Sequence, residues 1–323
     1  MTGAFLTALF FASNAVCARR AALHYGGTTG NFLRLLLAVT LLGAWAHAAG
    51  QGFGGGAFAW FFVSGAVGFG IGGLTMFHAL PRIGSNLSML IVQCGSAVTA
   101  SLIEWLWLGT RLSARQTGMA ALTLVGVVVG LTKAGQSRPA FGGSDPAGQG
   151  RLTPPPAALP PYYALGVALA VLSACAQGGG AVISRRAFGL LRAHGFLMDG
   201  ATSAYQRALG GLAVGALALL LVRGCPARHL GAREEEIVSA PAEALPPWVW
   251  LGLNTLLGPV LGVTCYQWAL RSSPAGIVLP IVATAPLLTV PIAWILERSR
   301  PTLRFWIGAG LAVLGAAGLS VVR

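Results

Sequence analysis

Acidic side chains are scarce in this sequence: Asp and Glu together number 8 in 323 residues, against 21 Lys and Arg. Five of the eight, Asp145, Glu234, Glu235, Glu236 and Glu243, lie in polar connecting segments, which leaves Glu104, Asp199 and Glu297. Glu104 and Glu297 stand near the ends of apolar runs and read as interfacial. The clustered carboxylates that general acid–base or metal-assisted chemistry needs are therefore missing. Histidines do not fill the gap, because His24, His47, His78, His194 and His229 are scattered and only His78 falls well inside an apolar run. A membrane-embedded enzyme is disfavoured, and neither a cofactor nor a metal is expected. Cys17, Cys94, Cys175, Cys225 and Cys265 are odd in number and contain no CxxC pair, so no disulfide framework or thiolate metal site is expected. The first residues also lack the basic start of a secretion signal, and the first apolar stretch is expected to be retained.

What the sequence has is apolar length: 55% hydrophobic residues, 46 glycines and a mean hydropathy of +0.73. The expectation is an all-α polytopic membrane protein with ten transmembrane helices near 3–18, 30–48, 57–79, 84–107, 115–132, 162–182, 203–222, 247–269, 275–296 and 305–322. The net charge of +13 sits mostly at span ends, where basic side chains reach the headgroups. No basic stripe with interleaved aromatics exists, so the expected partners are the lipid bilayer and a small molecule, with no nucleic acid.

The chain also repeats itself. Ala15-Val16-Cys17-Ala18-Arg19-Arg20-Ala21 is echoed by Ala181-Val182-Ile183-Ser184-Arg185-Arg186-Ala187, and Arg34 by Arg207. At an offset of 190, Ala79-Leu80, Ile91-Val92, Thr99, Leu106, Gly118 and Leu124 meet Ala269-Leu270, Ile281-Val282, Thr289, Leu296, Gly308 and Leu314. These echoes divide the chain into a first five-helix repeat at 1–133, a Gly/Pro-rich linker at 134–161 and a second five-helix repeat at 162–323. Five is odd, so the two halves enter the membrane from opposite faces, as inverted repeats around a midplane site do. Alternating access by a monomer follows, since one chain holds both halves. A non-transporting scaffold or receptor would account for the helices and leave the inverted duplication unexplained.

The candidate site comes from what is costly in lipid. Between Ser272 and Leu296 there is no charge, yet Pro280, Pro286 and Pro291 each remove a backbone donor, freeing the carbonyls of Gly276, Val282 and Leu287. These prolines either break a helix beside a cavity or merely bend a structural one. The corresponding segment Ile83 to Trp107 has no proline and should be the smoother helix. Polar side chains within spans are the other signal. Asn14, Arg34, His78, Gln93, Gln177, Arg207, Tyr266 and Gln267 are the candidate substrate-binding residues, with His78 and Gln267 a possible facing pair on the repeat map. Arginines and amides, with no acid in the first span, suit an anionic or zwitterionic, amino-acid-like solute better than a cation.

Several of these residues carry a resemblance. Ser13-Asn14, Arg34, Ala79-Leu80, the turn Gly109-Thr110-Arg111-Leu112-Ser113 and Arg300-Pro301-Thr302 are similar to motifs of the drug/metabolite transporter superfamily, in its ten-helix members with two EamA-like domains. Thr110 and Ser299 stand where that family commonly has glutamate, and Phe11-Ala12 where it has Trp-Gly. The resemblance covers the chain outside the linker and implies export or import of metabolites, amino acids, sugar phosphates or drugs. It also implies a bacterial inner membrane with both termini cytoplasmic. The arginines and Lys133 argue the other way, with seven on the face of the termini and twelve opposite.

Overall fold

The computed structural model describes residues 1–131, 161–224, 245–288 and 303–321. Among them are ten helical segments and no strand. They are α1 (Thr2–Tyr25), α2 (Gly27–Ala48), α3 (Phe58–Gly84), α4 (Leu87–Leu108), α5 (Ala114–Leu131), α6 (Pro161–Ala193), α7 (Gly200–Gly224), α8 (Pro247–Ser272), α9 (Ala275–Leu288) and α10 (Leu303–Val321). Six of them, α2, α3, α4, α6, α7 and α8, are long and apolar enough to cross a bilayer, and α5, α9 and α10 are shorter apolar helices. The linker and Pro291 lie outside the described residues.

Several helices outrun the expected spans. α1 continues through Arg19-Arg20 to Tyr25, and α6 through Arg185-Arg186 to Ala193, so these arginines belong to helices rather than to loops. α3 and α4 have almost no loop between them; the backbone turns at Gly84, whose φ of 77° favours a residue without a Cβ.

The first helix is packed through its small residues. On α1 the buried face is Gly3, Ala4, Thr7, Ala8, Ala12, Ala15, Ala18, Ala21 and Ala22, whereas Phe5, Leu6 and Leu9 are exposed. Large apolar side chains gain nothing by leaving lipid, so small residues collect where backbones meet. At the α3–α7 contact a Cβ on Gly65 would lie 1.7 Å from the Arg207 carbonyl oxygen, and one on Gly210 would lie 1.9 Å from that of Phe62. Either alanine would force the helices apart.

The two halves interlock rather than sit side by side. α1 packs against α8 and α9 of the other half, and α6 against α3 and α4. α7 lies on α3, α2 lies on α8, and the pairs α2–α7 and α5–α10 join the repeats directly. The repeat is visible in backbone detail: α3 widens into a π segment at Ala66–Ile71, and α8 does so at Leu256–Gly262, the matching positions at the offset of 190. Side chains follow it as well. Ser173 on α6 donates to the Gly72 carbonyl at the end of one π segment (2.7 Å). Thr7, equally far before the arginine pair on α1, shares its hydroxyl proton between the Gly3 carbonyl of its own helix (2.7 Å) and the Gly262 carbonyl at the end of the other π segment (3.3 Å). A π turn leaves carbonyls poorly paired, and a hydroxyl from the crossing helix answers one in each half.

Candidate substrate cavity

A cavity lies where the π segment of α3 meets α4, α6, α7, α8 and α9. It is lined by Phe11, Gly68, Phe69, Gln93, Ser96, Gln177, Arg207, Val263, Tyr266, Leu279 and Val282. Its volume of about 30 Å³ holds a water or two and is too small for a metabolite, so this conformation is nearly closed. Chemically its lining is mixed: amides, hydroxyls and a guanidinium beside aromatic and aliphatic groups.

Arg207 is the charge in this cavity. It is 3% exposed, its guanidinium carbon lies 5.0 Å from the centre of the Phe69 ring, and Nη1 donates to Gln267 Oε1 (2.8 Å). Gln267 Nε2 in turn donates to Ser184 Oγ (3.3 Å), Ser184 meets Ser64 (2.8 Å), and Ser64 donates to the Gly180 carbonyl (2.6 Å). Four helices thus fix the orientation of one guanidinium through a single directional chain. Its Nε has no partner, and among the described residues no carboxylate pairs with it. Gly68 keeps the approach open, since a Cβ there would stand 2.9 Å from Nη2.

Of the residues singled out in the sequence, Gln93, Gln177, Arg207 and Tyr266 come together on the cavity wall, with Gln267 directly behind Arg207. Gln177 is oriented by its own helix, donating to Ser173 Oγ (3.0 Å). Asn14 is buried against Gly258 of α8 and off the cavity lining. Arg34 is turned away: its Nε donates to Asn31 Oδ1 (3.0 Å) and its guanidinium sits 4.6 Å over the Phe77 ring. His78 meets the Thr28 hydroxyl (3.1 Å) and does not face Gln267, whose counterpart at the repeat offset is Phe77.

The proline-rich segment breaks where Pro286 implies. α9 is helical over Ala275–Val282, turns at Ala283 and Thr284, and resumes at Ala285. Val282, the residue whose carbonyl Pro286 leaves unanswered, lines the cavity, and Pro280 is buried within the first piece. The Leu287 side chain packs with Val127 and Ala312, off the cavity lining, and Pro291, which frees its carbonyl, lies outside the described residues. Gly276 is also off the lining, in the first turn of α9. α4 runs without a proline past Gln93 and Ser96.

Sequence reasoning met Phe11 only as a departure from the family motif, and passed over Phe69 and Ser96, which no pattern separated from ordinary span residues. It also misplaced Glu104. This carboxylate is 2% exposed rather than interfacial, and it pairs with Arg185 (3.3 Å) while accepting the Gly276 N–H (3.0 Å). The burial comes from the extra length of α6, which carries Arg185 alongside α4 within the bundle.

Twenty-seven chains of solved structures match this fold. One, described only as a crystal structure of a protein, superposes with a TM-score of 0.59 and 21% identity over 98% of this chain and 96% of its own, a likeness of fold alone. No curated protein sequence matches. The model of the EamA-like transporter family matches residues 1–132 and 164–321, both repeats. With that match over nearly its whole length, the chain belongs to the EamA-like transporter family.

Proposed function

We propose that this chain is a secondary transporter that moves a small organic anion or zwitterion, amino-acid-like, by alternating access, with Arg207 receiving its acidic group. The observation that carries this reading is a buried arginine with no carboxylate partner among the described residues, held at a cavity rimmed by Gln93, Gln177 and Tyr266. A bare charge inside a membrane bundle is costly, and a carboxylate arriving with the substrate would supply the missing counter-charge and a bidentate partner. The apolar lining residues Phe11, Phe69, Leu279 and Val282 suit the remainder of such a molecule. The domains 1–133 and 162–323 are the moving units, and a monomer suffices because both are on one chain. We place the protein in a bacterial inner membrane with cytoplasmic termini, as the family resemblance implies. A reporter fused to Arg323 and active only outside the cytoplasm would reverse that orientation.

The test is uptake into proteoliposomes containing the purified chain, with a panel of labelled amino acids, small carboxylates and organic cations. Saturable uptake of carboxylate-bearing solutes, with KM raised tenfold or more in Arg207→Gln, is expected. Saturable uptake of cations only, insensitive to Arg207→Gln, would overturn the reading.

A further inference from the structure

Glu104 is the one acid buried deep in the described bundle that the cavity does not use. Its two oxygens divide their work: Oε1 takes Arg185 Nε of α6 (3.3 Å), and Oε2 takes the Gly276 N–H at the start of α9 (3.0 Å). Arg185 Nη1 then donates to the Leu270 carbonyl at the end of α8 (2.6 Å). Four helices, α4, α6, α8 and α9, are joined by one ion pair and two backbone contacts. Each of these helices also lines the cavity, through Ser96, Gln177, Tyr266 and Leu279. On each of them the joined residue lies one to three turns nearer the face that carries the chain's amino terminus. The knot therefore stands on the amino-terminal side of the cavity.

Among the described residues the opposite face shows no equivalent knot. The repeat mate of Arg185 is Arg19, whose Nε is buried without a hydrogen-bond partner among the described residues, and the mate of Glu104 at the offset of 190 is Trp294, which has no carboxylate to form an ion pair. A buried carboxylate that loses its cation, or a helix N-terminus that loses its carboxylate, is left uncompensated in a low-dielectric surround. Parting the four helices breaks all of these contacts together, so the closed arrangement is held as a unit.

We infer that the Glu104–Arg185 pair is the lock of the gate on the amino-terminal face, and that opening to this face requires the pair to separate. The inference rests on the alternating-access reading, yet it is measured without substrate. In a cysteine-free version of the full chain, single reporters are placed at Ser101→Cys on the locked side and Ser88→Cys on the other. A membrane-impermeant thiol reagent is then applied from each face. Glu104→Gln keeps the size of the side chain and an acceptor for Gly276, and it should raise labelling of Ser101→Cys several-fold from the amino-terminal face while lowering that of Ser88→Cys from the other. Arg185→Gln should act in the same direction and stands in if the first variant does not accumulate. Unchanged labelling of both reporters in either folded variant would sink the lock. A complementary arm leaves the pair intact. A Cβ on Gly276 would lie 3.1 Å from Ser101 Oγ, so Ser101→Cys with Gly276→Cys can be joined across the same gate. Transport should stop on oxidation and return on reduction, and full transport by the cross-linked protein would show that this gate does not open. A KM raised tenfold or more in Arg207→Gln with both arms unchanged would remove the lock and leave the transport reading standing.

Discussion

Arg34 and Arg207 occupy matching places in the two repeats and have been given different surroundings. Behind Arg207 runs the chain Gln267, Ser184, Ser64 and Gly180. The matching positions behind Arg34 are Phe77, Ala18, Asn254 and Asn14. Two of the links have become apolar, and the consequence is visible: both polar atoms of Asn254 and Oδ1 of Asn14 are buried without a hydrogen bond. The backbone features, by contrast, are shared, including the π segments and the hydroxyls that answer their carbonyls. Duplication has thus preserved the machinery that shapes the helices and let the polar chemistry diverge, leaving one arginine aimed at the cavity and the other stacked on Phe77.

That asymmetry can be broken experimentally. The largest effect should come from Arg207→Gln, which removes the cavity's cation. A lost charge-assisted contact of about 2 kcal/mol corresponds to a KM increase of tenfold or more in proteoliposome uptake. Arg34→Gln should change KM far less, and equal effects of the two would show that the repeats are functionally equivalent. Next is Pro286→Ala, which restores a donor to the Val282 carbonyl. It should straighten α9 and lower the transport rate much more than the amount of protein in the membrane; unchanged transport at normal abundance would mark Pro286 as a tolerated kink. Gln267→Leu should weaken binding by about 1 kcal/mol by releasing the Arg207 guanidinium from its chain, read as a several-fold rise in KM with little change in rate. The smallest effect tests the shared part. Thr7→Val and Ser173→Ala each remove one interhelical hydrogen bond and should cost similar amounts of stability, about 0.6 kcal/mol apiece by reversible unfolding in mixed micelles. A large difference between them would mean that the π segments are held unequally.

The sequence exposes the architecture because lipid imposes long apolar runs and because the duplicated halves repeat their sequence landmarks. Arg34, Arg207 and the Ala-Leu pairs were enough to set the register of the repeats. The break in α9 was legible for a similar reason, since Pro286 deletes a particular donor. What could not be read was direction. The sequence shows Phe77 where the other repeat has Gln267, but only the packing of the helices across the bundle shows that these two side chains are the ones that meet Arg34 and Arg207. Glu104 escaped notice on the same grounds. Near the end of an apolar run a carboxylate reads as interfacial, and only the continuation of α6 through Arg185 brings a partner inside.

The alanine-lined face of α1 has a thermodynamic side. Alanine and glycine have no side-chain rotamers to restrict, so bringing such faces together costs no side-chain conformational entropy, and drawing them apart releases none. Such residues meet α8 at Gly3 and α9 at Ala8 and Ala12, with Phe11 and Asn14 reaching Gly262 and Gly258 between them. Interfaces of this composition can be dissolved and remade with little entropic barrier, whereas a bulky interdigitated core must unlock many rotamers at once. Helices lined in this way are suited to changing neighbours repeatedly.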